Sequence, residues 1–305
     1  MARIIESIEN AFREKGLGNV ELPPKPGVHS RPDSFIHAMP AYVSGMEAIG
    51  MKWVSGYPDN PAKGLPYISG LVVINDAATG LPLSVMDCVW ITAQRTAAAS
   101  AVAAKHLARK DSRTLGVLGA GVQGFSHLEA FLELFPIDTV VAYDISSDQL
   151  NKYKEKALGR WPDLDIRFAG EPRTAVEGLD IVVTAGPILK KPHATIQPGW
   201  FSPGSFASLV DFDSYWHPDA MKEADKFVTD DVPQLDYYRS VGYFQDMPEI
   251  HGDIGQLVTG KIPGRENEEE RTMTCNLGLA MHDVVVGKLV FEIARDRTTG
   301  TWLEL

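Results

Sequence analysis

The sequence predicts an α/β protein with a doubly wound parallel sheet and a second, β-rich unit. Two observations predict this fold class. From residue 114 to residue 229, short apolar runs alternate with helical patterns, which is typical of a parallel sheet covered on both faces. From about 34 to 90, strand-like runs instead follow one another directly, separated by turn signals such as Asp59-Asn60-Pro61. This second pattern predicts the β-rich unit.

The predicted elements run from an N-terminal helix to a C-terminal helix. Residues 3–15 place isoleucines and a phenylalanine on one helical face, which predicts an opening helix. Prolines at 23, 24 and 26 exclude a regular helix from the next segment, and the strand-like runs follow. An alanine-rich helix is predicted at 92–108. Later elements are predicted as strands at 115–118, 140–141, 166–169, 180–185, 205–210 and 226–229, helices at 147–158 and 173–178, a solvated polar loop at 262–271 and a helix at 276–295.

A glycine-rich turn after the first parallel strand organises the chain. Gly119 permits a tight strand-to-helix turn, Gly121 lets the backbone approach a pyrophosphate, and Gly124 lets the helix pack on the strand. Asp144, twenty residues after Gly124, closes the second strand and is placed to accept hydrogen bonds from an adenosine ribose. Its charge repels a 2′-phosphate. We therefore predict a Rossmann-type sheet that binds NAD(H) in preference to NADP(H).

Composition narrows the class of protein further. The 305 residues are 44% hydrophobic and 23% charged, as in a globular protein, and the net charge of −11 argues against a nucleic-acid surface. Cys88 and Cys275 lie far apart without metal-ligand spacing, so we predict reduced thiols and no metal. The mixed charge of the N-terminal helix matches neither a signal peptide nor a membrane span. We expect a cytoplasmic protein that binds neither nucleic acid nor membrane.

Two cations stand out among apolar neighbours. Lys52 interrupts the apolar run 51–54, and Arg95 is the lone cation among the small residues of 92–104. Charged residues in such surroundings are seldom buried without a partner or a ligand. A nicotinamide supplies hydride chemistry while the protein binds the substrate, and arginine can hold a carboxylate through two hydrogen bonds. A purely structural role for each cation is the alternative that the residues alone leave open.

Long sequence stretches also carry a family resemblance. They are HAMPAY at 37–42, MKWVSGYPDNPAKGLP at 51–66, TGLPLSVMD at 79–87, ITAQRTAAASAVAAKHLA at 91–108, LGAGVQG at 118–124 and GKIPGRENEEER at 260–271. With these stretches the chain resembles the ornithine cyclodeaminase/μ-crystallin family of NAD(P)-dependent enzymes, which includes alanine dehydrogenases and ketimine reductases. The resemblance implies a homodimer, a β-rich substrate and dimerisation domain at 1–108 plus 275–305, and an NAD-binding domain at 109–274.

The resemblance also implies a role for each matching residue. Lys52 contacts the substrate carboxylate or the reacting centre, Arg95 clamps the carboxylate, and Asp213 acts as the acid/base. Lys25 and His37 join Lys52 and Arg95 in binding the substrate. The cofactor residues it implies are Gly119, Gly121, Val122, Gln123 and Asp144, with Thr184 and Ala185 lining the nicotinamide side of the cleft.

Departures from the family pattern shape the functional hypothesis. His37 stands where ornithine-converting members carry a glutamate, and Lys25 stands where many relatives carry an arginine. This positive set suits an anionic substrate, so we hypothesise NADH-dependent reduction of a small 2-imino acid to the L-amino acid, with an iminosuccinate-like dicarboxylate as the specific candidate. The alternatives are an ornithine cyclodeaminase, forming L-proline and ammonia, and a non-catalytic μ-crystallin-like binding protein. Asn276 and His282 also depart, and we expect a helix start and a surface histidine there.

Overall fold

A computed structural model describes residues 1–31 and 34–304 of the chain. The described part forms two compact units. The antiparallel-sheet unit comprises Glu6–Arg95 and Leu279–Leu305, and the parallel-sheet unit comprises Met1–Ile5 and Thr96–Gly278. The functional domain boundaries given above stay a prediction.

The helices and strands are as follows in chain order. The first part of the chain contains α1 (Ala2–Leu17), β1 (Val20–Glu21), β2 (Gly27–Val28), β3 (Phe35–Val43), β4 (Ala48–Gly56), β5 (Ile68–Asn75), β6 (Pro82–Asp87) and α2 (Val89–Leu107). The rest contains β7 (Thr114–Leu118), α3 (Val122–Leu132), β8 (Thr139–Tyr143), α4 (Ser147–Arg160), β9 (Asp165–Phe168), β10 (Ile181–Thr184), β11 (Phe206–Leu209), α5 (Pro218–Met221), β12 (Lys226–Thr229), α6 (Val232–Ser240), β13 (Gly252–Asp253), α7 (Ile254–Val258), β14 (Thr272–Cys275) and α8 (Ala280–Asp296).

The antiparallel sheet has the strand order β1-β3-β4-β5-β6, and β2 pairs with the free part of β3. Helix α8 packs on β3, β4 and β5. Gly287 permits this close approach, because a Cβ there would lie 2.8 Å from Ile74 Cδ1. Side chains alternate along a strand, so the opposite face carries Trp53, Leu71 and Val85, all of which are exposed. We call these three residues the exposed apolar face.

The parallel sheet has the order β13-β12-β14-β11-β10-β7-β8-β9. Every residue of β10, β11, β12 and β14 is buried, as expected when helices cover both faces of a parallel sheet. The predicted fold class is therefore confirmed. Strand β7 leads directly into the glycine turn and α3, so the turn lies at the carboxyl edge of the sheet. Among residues 1–31 and 34–304, no helix combines the length and the hydropathy of a membrane span.

Two features of the parallel sheet differ from expectation. Strand β14 was not predicted, although it lies between β11 and β12, because four residues that include two threonines give little periodic signal. The loop at 262–271 was expected to be solvated, and this is wrong for two of its residues. Arg265 donates to the carbonyl oxygens of Leu107, Ser205 and Glu270, and the buried Glu270 carboxylate lies 3.0 Å from Lys226 Nζ. The charge run therefore ties the loop to the sheet.

Candidate functional site

Three charged side chains lie together inside the antiparallel-sheet unit. Lys52 on β4 and Arg95 on α2 both contact Asp283 on α8. Asp283 Oδ2 lies 2.9 Å from Lys52 Nζ, and Asp283 Oδ1 accepts a hydrogen bond of 3.0 Å from Arg95 Nε. Lys52, Arg95 and Asp283 are 2%, 6% and 0% exposed. We call these three residues the charged triad; the structure thus brings together two of the predicted residues and adds one.

The local structure explains why the charged triad forms. Lys52 shares its face of β4 with Val54, on the side of the sheet that α8 covers. Its ammonium also lies 3.5 Å from Thr92 Oγ1, one helical turn before Arg95. Asp283 lies in the first turn of α8, where the free amides of the helix favour a negative charge. The carboxylate is therefore stabilised by the helix as well as by two cations.

Burial and pairing have opposite effects on Lys52. Burial, and then the charge of Arg95, lower its pKa to about 8, although Asp283 raises it. Lys52 is therefore mostly protonated at neutral pH but gives up its proton more readily than an exposed lysine. Arg95 uses Nε for Asp283, and its two terminal nitrogens make no hydrogen bond within residues 1–31 and 34–304. Those two nitrogens form the edge of the guanidinium that matches a carboxylate.

His37 lies on β3 in the same unit and is uncharged at neutral pH. Burial lowers its pKa to about 4, and the charges of Lys25, His29 and Lys52 act in the same direction. Its ring stacks on Phe35 with the centroids 4.4 Å apart. The neighbouring strand carries glycine at position 27, where a Cβ would lie 2.2 Å from His37 Cδ2. The sequence predicts a titratable group here, and the structure provides a neutral imidazole beside the charge of Lys25.

The glycine turn of the parallel-sheet unit has the geometry that a pyrophosphate requires. Gly119 has a φ of +100°, and a Cβ there would lie 2.6 Å from the carbonyl oxygen of Ala185. A Cβ on Gly124 would lie 2.3 Å from the carbonyl oxygen of Gly119, so helix and strand pack closely. Gly121 is the N-cap of α3 and lies beside open space, and no side chain of the described residues caps the helix. The first backbone amides of the helix, at Val122 and Gln123, can therefore donate hydrogen bonds to an anion.

Asp144 is anchored to the same turn. Its Oδ2 accepts a hydrogen bond from the amide of Ala120, and its Oδ1 accepts one from the amide of Ser146, each at 2.9 Å. A carboxylate oxygen has two lone pairs, so each oxygen retains one for a ribose hydroxyl. Gln123, predicted to contact the cofactor, lies in the first turn of α3 beside these groups. The arrangement fits a dinucleotide, and the individual cofactor roles stay predictions.

Thr184 and Ala185 lie at the end of β10, next to a buried acid that the sequence analysis missed. Thr184 Oγ1 donates to Asp211 Oδ1 at 2.7 Å, and the amide of Gly186 donates to Asp211 Oδ2 at 2.9 Å. Burial nevertheless raises the pKa of Asp211 to about 7. The amide of Ala185 donates to the carbonyl of Leu118, which places it next to the glycine turn. Asp211 therefore fixes the loop after β10.

Asp213 follows Asp211 after a strained residue. Phe212 has a φ of +61°, in the left-handed region, and its ring packs against Tyr238 and Phe244 with centroids 5.3 Å and 4.9 Å away. Asp213 is buried, its Oδ1 has no hydrogen-bond partner in the described part of the chain, and burial raises its pKa. Such an acid holds a proton more firmly than an exposed aspartate. This supports its predicted use as an acid.

The expectations for Asn276 and His282 are wrong. Helix α8 begins at Ala280, and Asn276 is buried and donates to Ser100 Oγ at 3.2 Å. His282 is 0% exposed and packs edge-on against Phe12 with a centroid distance of 4.7 Å. His282 and Asp283 are both buried, so the first turn of α8 presents two polar side chains to the interior of the unit. A signal for Asp283 was present, since it interrupts the apolar run 279–286 as Lys52 interrupts its own.

Comparison with known proteins agrees with this geometry. The sequence profile of the ornithine cyclodeaminase/mu-crystallin family matches residues 1–298. The nodulation efficiency protein NfeD of Rhizobium meliloti is 35% identical over 302 residues, which cover 98% of this chain and 92% of that protein.

Two solved structures are similar in fold over the whole chain. One is Delta(1)-pyrroline-2-carboxylate reductase of Thermococcus litoralis in complex with NADH and L-proline, with a TM-score of 0.88 and 32% identity, covering 98% of this chain and 95% of that one. The other is an archaeal alanine dehydrogenase dimer with bound NAD, with a TM-score of 0.88 and 32% identity, covering 100% of this chain and 95% of that one. The chain belongs to the ornithine cyclodeaminase/mu-crystallin family.

Proposed function

We propose that this chain is an NAD(H)-dependent oxidoreductase that reduces a small 2-imino acid to the L-amino acid. The charged triad is the observation that carries the proposal. Two buried cations share one carboxylate, so the triad has a surplus positive charge while Lys52 is protonated. A buried charge without a partner is costly, and a substrate carboxylate would supply that partner. Both solved relatives contain a nicotinamide cofactor, and one contains an amino acid.

Each residue of the site has a chemical task in this proposal. The terminal nitrogens of Arg95 hold the substrate carboxylate through two parallel hydrogen bonds. The Lys52 ammonium adds a second charge-assisted contact, and its pKa of about 8 suits the transfer of a proton near neutral pH. Asp213 has a raised pKa and is the second candidate to protonate the imine nitrogen. A bound NADH would supply the hydride that reduces the imine carbon.

The cofactor half of the proposal depends on the glycine turn and Asp144. Gly119, Gly121 and Gly124 leave the backbone amides at the start of α3 accessible to a pyrophosphate. The anchored carboxylate of Asp144 accepts hydrogen bonds from the ribose hydroxyls and repels a 2′-phosphate. These features support NAD(H) in preference to NADP(H).

We propose an iminosuccinate-like dicarboxylate as the substrate. Lys25 lies close enough to His37 to lower its pKa, and Lys52 also acts on His37, so a second carboxylate would meet positive charge on this side. The terminal ammonium of ornithine would instead meet like charge. Since His37 is neutral at neutral pH, Lys25 supplies the charge for the second carboxylate and His37 supplies a hydrogen bond.

A panel of 2-oxo acids tests this function. Glyoxylate, pyruvate, oxaloacetate and 2-oxoglutarate are each mixed with ammonia or methylamine, and NADH absorbance is followed. We expect NADH oxidation, fastest with oxaloacetate. Faster turnover of pyruvate would retain the reductase and overturn the dicarboxylate. Ammonia release from ornithine without net change in NADH would establish the cyclodeaminase instead, and a ligand that binds but is never turned over would establish the binding protein.

We also propose that a second copy of the chain covers the exposed apolar face. Trp53 and Leu71 are opposite each other on neighbouring strands, and Val85 extends the same face. Apolar patches of this kind mark interaction surfaces, and the archaeal relative is a dimer. Sedimentation of the wild-type chain should give twice the chain mass, and Leu71→Lys should give a monomer. A monomeric wild type would contradict this proposal.

A further inference from the structure

Asp283 occupies a special position in the antiparallel-sheet unit. Its two oxygens contact two different cations, Lys52 Nζ at 2.9 Å and Arg95 Nε at 3.0 Å. We propose that Asp283 is the positioning residue of the substrate site: it orients both cations toward a carboxylate and keeps Lys52 protonated at neutral pH. This inference rests on the proposed function and assigns a task to a residue that the sequence analysis did not select.

The geometry supports the orienting role. The hydrogen bond that Nε donates to Asp283 fixes the plane of the Arg95 guanidinium and leaves the two terminal nitrogens for a ligand. Lysine has four rotatable bonds, and the contacts with Asp283 and Thr92 restrict the ammonium to one place. The carboxylate itself is held by the first turn of a packed helix. Both cations are thus set before a substrate arrives, which lowers the entropic cost of binding.

The charges around Lys52 support the role in protonation. Arg95 lowers the pKa of Lys52, and Asp283 opposes this effect. Burial raises the pKa of Cys88 and lowers that of His282, so both are neutral at pH 7. The groups that act on or face Lys52 come from β3, the residue before α2, α2 itself and α8. They are His37, Cys88, Thr92, Arg95, His282 and Asp283. Asp283 is the carboxylate in this set, so its negative charge opposes the loss of the proton from Lys52.

The isosteric substitution Asp283→Asn tests the proposal. Asparagine retains the shape and one acceptor for Arg95, but it removes the charge and presents an amide to Lys52 or Arg95. We measure kcat/KM with the best 2-oxo acid and amine from pH 6 to 10, and the Kd of NADH by fluorescence. The alkaline limb should move at least about one pH unit lower, so kcat/KM at pH 8 falls about fivefold or more, because Lys52 is then about one eleventh protonated at pH 8 in place of one half. NADH affinity should change less than about twofold.

Two further variants make the test specific. Asp76→Asn makes the same chemical change at an exposed turn in the same unit, and it should leave the pH profile unchanged. Asp283→Glu keeps the charge but moves the carboxylate, so it should raise KM while the alkaline limb stays in place. This variant also reports on positioning if Asp283→Asn does not fold.

Several outcomes would overturn the proposal. A folded Asp283→Asn protein with the wild-type pH profile and KM would show that the ion pairs are structural. An Asp283→Glu protein with wild-type KM and kcat would exclude positioning. The function itself is tested by the wild-type panel, so failure of the two ideas can be told apart. If the wild type oxidises NADH and the Asp283 variants are unaffected, the proposed function stands and only the positioning role of Asp283 is disproved.

Discussion

The two units bury charge in different ways. In the antiparallel-sheet unit, Asp283 faces two cations and Lys52 retains a pKa of about 8. In the parallel-sheet unit, Asp211 is equally buried but receives hydrogen bonds from a hydroxyl and an amide, which carry no net charge. Its pKa rises to about 7. At Asp211, neutral donors offset only part of the desolvation of the carboxylate, whereas at Lys52 the charge of Asp283 offsets part of the desolvation of the ammonium.

This difference gives the units complementary chemistry. The charged triad provides fixed positive charge for binding an anion. Asp211 and Asp213 are acids that hold protons at a higher pH than an exposed aspartate does, because burial opposes their ionisation. We therefore expect the loss of a charge from the triad to reduce kcat/KM, and the loss of the ionisable group of Asp211 to change the pH dependence of stability.

The largest effect is expected from Arg95→Ala. It removes the bidentate contact with the substrate and one of the two cations that pair with Asp283. We expect kcat/KM to fall by about a thousandfold or more, since such contacts are each worth several kcal/mol in a buried site. Arg95→Lys, the matched control, keeps the charge without the planar fork and should lose less. An equal loss of NADH affinity in Arg95→Ala would contradict the assignment to the substrate.

A smaller effect, on stability, is expected from Asp211→Asn. The folded-state pKa of about 7 exceeds the usual 3.8, so the folded chain holds this proton more tightly than the unfolded chain. Its contribution to the free energy of unfolding is full below about pH 4 and is lost as pH rises to about 7, by roughly 2–4 kcal/mol at most. The side chain of asparagine does not titrate in this range, so the Asp211→Asn variant lacks this pH-dependent contribution. Urea unfolding at pH 5 and pH 8 should show a weaker pH dependence for Asp211→Asn than for the wild type; identical dependence would contradict the raised pKa.

Local signals predicted most of the fold. The alternation of apolar runs with helical patterns predicted the parallel sheet. The spacing of a strand, three glycines and an acid predicted the nucleotide-binding turn, which requires glycine at positions 119 and 124. The four-residue strand β14 was missed because its place inside the sheet, between β12 and β11, depends on distant neighbours. Arg265 was missed for the same reason, since its carbonyl partners belong to other elements.

The site was predictable only in part. Lys52 and Arg95 stand out because each interrupts an apolar stretch, and the structure places them together. Asp283 interrupts one too, but its partner Arg95 is 188 residues away, and sequence periodicity carries no information about such a pairing. Asp211 could not be distinguished from Asp213 by pattern, because the hydrogen-bond donors of Asp211, Thr184 and Gly186, lie at least 25 residues earlier in the chain.

Isotope labelling follows the hydride from NADH to the imine carbon of the substrate. NADH carrying deuterium at both C4 positions is incubated with the chain, oxaloacetate and ammonia, and the masses of the products are determined by mass spectrometry. We expect an amino acid with one deuterium at Cα, formed in equal amount to the NADH consumed. The proposed reduction would be wrong if no 2-oxo acid of the panel gave a labelled amino acid, while ornithine gave proline and ammonia without net consumption of cofactor.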